Sequence, residues 1–252
     1  MKKDPDIRIK TAAELATLRD AGKILARIVG SIKSSLKIGM MTRDIDLEAE
    51  RLMRQEGVRA AFKGYHGFPA SVCVSVNEEV VHGIPGERVI RDNDIVSIDI
   101  GIIHQGYFSD MAVTVGFGAL DAARQKLLDV TRQALYKGIA EAHSGARLGD
   151  LSHAIQAYVE SKGFSVVRDF VGHGIGRELH EDPEIPNYGE PGTGPVLKPG
   201  MVLAIEPMVN AGRYQTRTLP DRWTVVTADR RPSAHFEHTI AVTEGGPFIL
   251  TE

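Results

Sequence analysis

Residues 95–110 read Ile95-Val-Ser-Ile-Asp99-Ile-Gly-Ile-Ile103-His-Gln-Gly-Tyr107-Phe-Ser-Asp110. Up to Ile103 the run is apolar on both alternating faces, so it reads as a strand covered on both sides. His104-Gln105-Gly106 is turn chemistry, and Tyr107 to Val115 continues as a second strand, which predicts a tight hairpin. Strands joined by hairpins rather than by regular crossovers indicate an α+β fold. Helices then pack on one face of a curved, mostly antiparallel sheet, and the other face is free to hold a site.

Asp99 has no compositional reason to sit inside that strand. A buried carboxylate must be neutralised, paired or bound to a cation. With His104-Gln105 as the two-residue loop, Asp99 falls directly opposite Asp110; with the loop one residue later, the two become diagonal neighbours. Like charges so placed repel, and in either register a shared cation would relieve the repulsion.

Outward from the hairpin, Thr11-Ala-Ala-Glu14 is a capping-box pattern opening a helix that runs to about Leu36. Thr42 offers a cap for a second helix stopping at Gly57. Two more amphipathic stretches span about 120–142 and 149–162, the latter closed by Gly163, with His143 and His153 on their solvated sides. Further strands are expected at Ser71–Val76, Val166–Phe170, Met201–Met208 and His235–Val242. The order of elements halves near residue 120, giving one domain over 1–252 with two similar halves, about 1–120 and 121–252, although no sequence motif repeats.

The second half repeats the anomaly of the first. Glu206 ends the apolar run Met201–Ile205, and Glu237 sits within His235–Val242. No Lys or Arg lies within four residues of Asp99, Glu206 or Glu237. Glycine-flanked histidines add imidazole: His82 in Val81-His-Gly-Ile-Pro85, and His173 in Gly172-His-Gly-Ile-Gly176, with His180 following. The glycines lack the G-x-G-x-x-G spacing of a dinucleotide loop, and Pro183 and Pro186 forbid a long helix after them. Oxygen-rich ligands with one or two imidazoles suit divalent Co, Mn, Fe, Zn or Ni. Four carboxylates overcharge one ion and balance two, which favours a two-metal hydrolase.

Composition narrows the classes. The 252 residues carry 30 Lys+Arg against 33 Asp+Glu with no basic run, so phosphate neutralisation by nucleic-acid binding has no footprint. One cysteine excludes an intramolecular disulfide framework and a Cys-cluster zinc site. No window reaches the roughly 18 apolar residues of a membrane span. A cytoplasmic, monomeric protein is expected. The 26 Gly and 12 Pro concentrate in loops beside the candidate ligands, as shaped walls around one site.

Taken together, Gly64-Tyr-His-Gly-Phe-Pro69, Ser71-Val-Cys-Val-Ser-Val-Asn-Glu78, His82-Gly-Ile-Pro85, Asp99 with Asp110, Gly172-His-Gly-Ile-Gly176, His180-Glu-Asp-Pro183, Glu206-Pro207 and Glu237-His-Thr239 resemble type I methionine aminopeptidases. The resemblance spans essentially the whole chain. It implies the pita-bread fold, a pseudo-twofold α+β domain with helices on the outer face of a curved sheet and two metals on the inner. It also implies excision of the initiator methionine from nascent chains near the ribosome when the second residue is small. On that resemblance Asp99, Asp110, His173, Glu206 and Glu237 are the metal ligands, with Asp110 and Glu237 bridging and Glu206 also a proton shuttle. His82 contacts the scissile amide and protonates the leaving amine, and His180 bonds the substrate carbonyl and its oxyanion.

The same resemblance lines the methionine pocket with Tyr65, Phe68, Cys73, Leu179, Met208 and Trp223, and sets Asn77 and Ser233 beside a monovalent cation. Leu179 stands where many members carry Phe, and Phe62 where many carry a small polar residue. Two rivals share the fold: a proline-specific aminopeptidase or prolidase, which usually carries an extra N-terminal domain, and a non-catalytic partner-binding module, which loses ligands that this chain keeps.

Overall fold

The computed structural model describes residues 6–252. Helix α1 (Ala12–Ser35) starts at the expected capping box: Glu14 N–H donates to Thr11 Oγ1, and Thr11 N–H to Glu14 Oε2 at 3.0 Å. Helix α2 (Thr42–Gln55) departs from expectation, because Thr42 is its first helical residue and Met41 its cap. Thr42 is unavailable as a cap because its Oγ1 accepts Gly86 N–H at 2.8 Å; Asp44 accepts Met41 N–H in its stead. Helices α3 (Ala122–Ala140) and α4 (Leu148–Ser161) complete the set. Gly57 and Gly163 follow α2 and α4 with φ of 68° and 84°, conformations that favour glycine. His143 and His153 are exposed as expected, but His143 lies beyond the end of α3.

A nine-stranded sheet, antiparallel throughout, frames the molecule. Its long hairpin is Ile95–His104 with Tyr107–Gly116. Val72–Val76 and Arg59–Ala60 pair with the free edge of the first hairpin strand. The second hairpin strand pairs with Glu237–Thr243, and the sheet continues through Val202–Ile205 and Gly172–Gly174 to Glu181–Ile185. Gly246–Ile249 folds back onto Glu237–Thr243.

Several strands are shorter than the sequence suggests. The Met201–Met208 run splits into Val202–Ile205 and Met208–Asn210, because Pro207 has no N–H to give to a ladder. His235–Val242 breaks at Phe236, so that Ser233–His235 pairs with Met208–Asn210 in a separate three-stranded sheet. Val166–Phe170 reduces to Ser165–Val166 on that same sheet.

The hairpin turn decides the register. Gln105 and Gly106 have φ of 50° and 80°, the two positive values that a tight right-twisted turn requires, and Gly106 adopts its own without cost. His104 therefore pairs with Tyr107, and the loop lies one residue later than the direct-pairing register needs. Asp99 faces Ala112, Asp110 faces Gly101, and the two aspartates are diagonal neighbours rather than direct ones.

Packing fixes this register further. Val96, Ile98, Ile100 and Ile102 point outward and pack with Leu25, Ile28, Ile32 and Ile45 of α1 and α2. A second core joins Leu127, Leu135, Leu151 and Ile155 of α3 and α4 to Leu203, Ile205, Ile240 and Val242. Burial of each such side chain contributes about 1.5–3 kcal/mol. A one-residue slip would turn the isoleucines inward and Asp99 into the helices, so strand alternation commits Asp99 to the inner face. Among the described residues, no helix is long and apolar enough to cross a membrane.

Candidate metal centre and substrate pocket

The inner face gathers the acids by register. Cys73, Asp99, Ala112 and Glu237 form one row across four adjacent strands, since Cys73 pairs with Asp99, and Ala112 pairs with both Asp99 and Glu237. Asp110 lies two residues along from Ala112 on the same face. His173 and Thr239 both pair with Ala204, which brings His173 onto the face that carries Glu237. Small Ala112 and Ala204 stand between the polar side chains and leave them room to converge.

Asp110, His173 and Glu237 each offer a ligand atom within 4.8 Å of the others, and so do Glu206, His235 and Glu237. Glu206 Oε1 lies 3.6 Å from His173 Nε2. His173 Nδ1 is 2.9 Å from the Gly174 carbonyl, which can only accept, so Nδ1 carries the proton and Nε2 presents its lone pair to the acids.

Burial pushes the Asp99, Glu206 and Glu237 carboxyls well above their ordinary range, and the neighbouring acids push them further. Asp110 is pushed up to about 7, burial again being the main cause. Burial first, and then His180, holds His173 down to about 3, so its imidazole is neutral. Asp99 Oδ1, Glu237 Oε1 and His235 Nε2 are buried without a hydrogen-bond partner among the described residues. Clustered acids that resist ionising, with orphaned oxygens and one imidazole lone pair, are a donor set that fits divalent cations.

Two cavities open on this floor. The smaller, about 230 Å³, is lined on its apolar side by Phe62, Phe68, Cys73, Leu179 and Trp223, and by Tyr65 and His66. The larger, about 590 Å³, passes His82, His180 and Met208 to a rim that includes Arg8, Asp169 and Glu178. Met208 is thus apart from the other pocket candidates, packed with Val80, Val81 and Val225. Phe68 and Trp223 meet edge to face at 5.1 Å.

His82 takes a left-handed φ of 58°. Burial, and secondarily His180, lowers its imidazole to about 4. Its ring stands edge-on to Trp223, with centroids 6.4 Å apart, and lines both cavities. His180 stands 4.3 Å from His173 between ring centroids, and its Nδ1 is 2.8 Å from Tyr65 Oη. Its loop is anchored by a buried ion pair, Lys10 Nζ to Glu181 Oε2 at 2.7 Å; Glu181 also accepts Arg177 N–H and Glu178 N–H. Asn77 and Ser233 are adjacent, with Ser233 N–H donating to the Asn77 carbonyl at 2.8 Å.

Three residues of the site escape a reading of the sequence. Phe62 stands out there only as an unusual residue, although its ring forms a pocket wall. His66, with a φ of 47°, lines the pocket from inside the Gly64–Pro69 motif. His235 joins Glu206 and Glu237, although the sequence shows it only as the first residue of an expected strand.

Residues 16–244 match the profile of metallopeptidase family M24. The chain is 57% identical to methionine aminopeptidase 1 of Bacillus subtilis over 242 residues, covering 96% of this chain and 98% of that one. Its structure superposes on methionine aminopeptidase from Thermotoga maritima with a TM-score of 0.96 at 49% identity, covering 98% and 99% of the two chains. The prolidase of Pyrococcus furiosus, at 24% identity and a TM-score of 0.79, shares the fold alone, and the match covers 65% of that longer chain. The chain belongs to metallopeptidase family M24 and, within it, to the type I methionine aminopeptidases.

Proposed function

We propose that this chain is a methionyl aminopeptidase that removes the initiator methionine from nascent proteins whose second residue is small. The observation that carries the reading is an apolar pocket of about 230 Å³ opening onto four carboxyls and one imidazole lone pair. A methionine side chain suits walls of Phe62, Phe68, Leu179 and Trp223.

Asp99, Asp110, His173, Glu206 and Glu237 would hold two divalent ions. Bound there, such ions supply Lewis acidity and lower the pKa of water. Glu206, whose two carboxyl oxygens face His173 and His235, would also carry the proton released by the attacking water. His180 donates to the substrate carbonyl and its oxyanion. His82 faces the scissile amide. With its imidazole held near 4, it is neutral at pH 7, so it passes to the leaving amine a proton that comes from the attacking water through Glu206.

A monovalent cation beside Asn77 and Ser233 would find main-chain carbonyls and the Ser233 hydroxyl oxygen there, while the Asn77 amide is occupied by Asp94 and Ile95 N–H. The enzyme acts as a cytoplasmic monomer on chains leaving the ribosome, as a single catalytic domain whose halves meet at the metal centre.

The test is hydrolysis by the metal-loaded protein of Met-Ala-Ser against an Ala-Pro peptide. Release of free methionine from the first alone is expected. Cleavage of the second alone would assign the site to proline-specific chemistry.

A further inference from the structure

Glu206 has two carboxyl oxygens and two imidazole neighbours that are not equivalent. Oε1 lies 3.6 Å from His173 Nε2, and Oε2 lies 3.5 Å from His235 Nε2. His173 cannot donate to Oε1, because its proton is on Nδ1 and is given to the Gly174 carbonyl. That nitrogen and that oxygen therefore present lone pairs to the same space, as two ligands of one cation do. His235 is free to do the opposite.

His235 is 1% exposed, and its Nε2 has no hydrogen-bond partner among the described residues. Its backbone is clamped on both sides by one hydroxyl: His235 N–H donates to Thr114 Oγ1 at 2.9 Å, and Thr114 Oγ1 donates to the His235 carbonyl at 2.7 Å. Ser97 and Thr114 hydroxyls are 2.8 Å apart, so this clamp is tied to the hairpin that carries Asp99 and Asp110. A buried imidazole held this firmly toward two carboxyls, with no bond of its own, is costly unless one of those carboxyls accepts from it.

We propose that His235 is a positioning residue of the metal centre: its Nε2–H donates to Glu206 Oε2, fixes the rotation of that carboxylate and leaves Oε1 for the cation. The proposal rests on Glu206 being a metal ligand. The contact of 3.5 Å needs to shorten by only a few tenths of an ångström to become an ordinary hydrogen bond. Outer groups of this kind orient a ligand and sharpen its affinity without touching the ion.

Three variants separate this role from the alternatives: His235→Leu fills the volume without a donor, His235→Gln restores an N–H, and Glu206→Gln removes the accepting carboxylate. For each, Mn²⁺ affinity is measured by calorimetry on the metal-free protein, and kcat and KM on Met-Ala-Ser. His235→Leu is expected to weaken Mn²⁺ binding and lower kcat by about 10- to 100-fold. KM should stay within about twofold, since no substrate contact is lost. His235→Gln should recover most of both losses, which a direct imidazole ligand would not allow, because an amide is a poor substitute in the metal's own shell. Mn²⁺ affinity unchanged in His235→Leu, or His235→Gln as defective as His235→Leu, overturns the proposal. If His235→Leu fails to fold, His235→Asn, whose amide stops short of Glu206, replaces it with the same outcomes. Normal Mn²⁺ binding by Glu206→Gln would overturn the ligand assignment itself, and the positioning role with it.

Discussion

Asp99 and Glu237 share a single strand partner, Ala112, which lies between them on the inner face of the sheet. The methyl group there keeps the two carboxyls apart while leaving the space above it open. Ala112→Val puts two more carbons into that space. Overpacking of this kind costs about 1–3 kcal/mol. The variant should fold, unfold at a lower temperature, and bind Mn²⁺ more weakly by calorimetry; wild-type Mn²⁺ affinity would show that the row is not the floor of the metal centre.

Asp110→Asn keeps the side chain's acceptor for Met111 N–H and removes the charge. Turnover of Met-Ala-Ser and tight metal binding should both disappear while the circular dichroism spectrum is retained. Full activity would remove Asp110 from the ligand set.

The same residue gives a pH signature in metal-free protein. Its ordinary pKa is 3.8 and its folded value is about 7, so between those limits the unfolded chain has lost a proton that the folded chain keeps. Rising pH therefore favours unfolding across that window. The buried histidines act in the other direction, since His173 and His235 are held near 3 and the unfolded chain binds their protons first as pH falls below about 6.5. Comparison with Asp110→Asn cancels the histidine effect. The metal-free wild type should lose thermal stability relative to the variant as pH rises from about 4 to about 7, and a difference independent of pH would refute the assignment.

His82→Ala should lower kcat on methionyl peptides by about 10²- to 10⁴-fold. Metal affinity should hold, because His82 is outside the ligand groups. An unchanged kcat would take His82 out of the chemistry.

Lys10 and Glu181 connect the segment before α1 to the loop that carries His180, with side chains only 6% and 2% exposed. Lys10→Met leaves a buried carboxylate without its cation, a loss of about 3 kcal/mol. Chemical denaturation should report that loss, and KM should rise because the His180 loop loosens; a variant as stable as wild type would show that Arg8 and the loop amides suffice for Glu181.

The sequence makes most of this architecture readable through contrast. Asp99, Glu206 and Glu237 are conspicuous because each interrupts an apolar run, and His173 because glycines flank it. The hairpin's partnering is legible to within one residue, and the remaining choice is made by backbone conformation: Gly106, not His104, accepts a positive φ at no cost. The break at Phe236 is hidden because nothing in His235-Phe-Glu237 differs from a continuous strand. His235 escapes for a related reason, since a histidine in an apolar stretch is ordinarily a satisfied core residue. Only the three-dimensional position of Glu206, distant in the chain, reveals that its Nε2 faces an acid.

The long hairpin and Glu237–Thr243 are joined by two ladder pairs, Ala112 with Glu237 and Met111 with His238, and the candidate metal ligands lie on both sides of that short seam. Asp99 and Asp110 come from one half of the chain, and His173, Glu206 and Glu237 from the other. A cation bound among them would therefore also be a rivet, a non-covalent cross-link across that seam. Loss of the ion would free the halves to breathe about that line, so that the enzyme's cofactor supply also sets the rigidity of its scaffold.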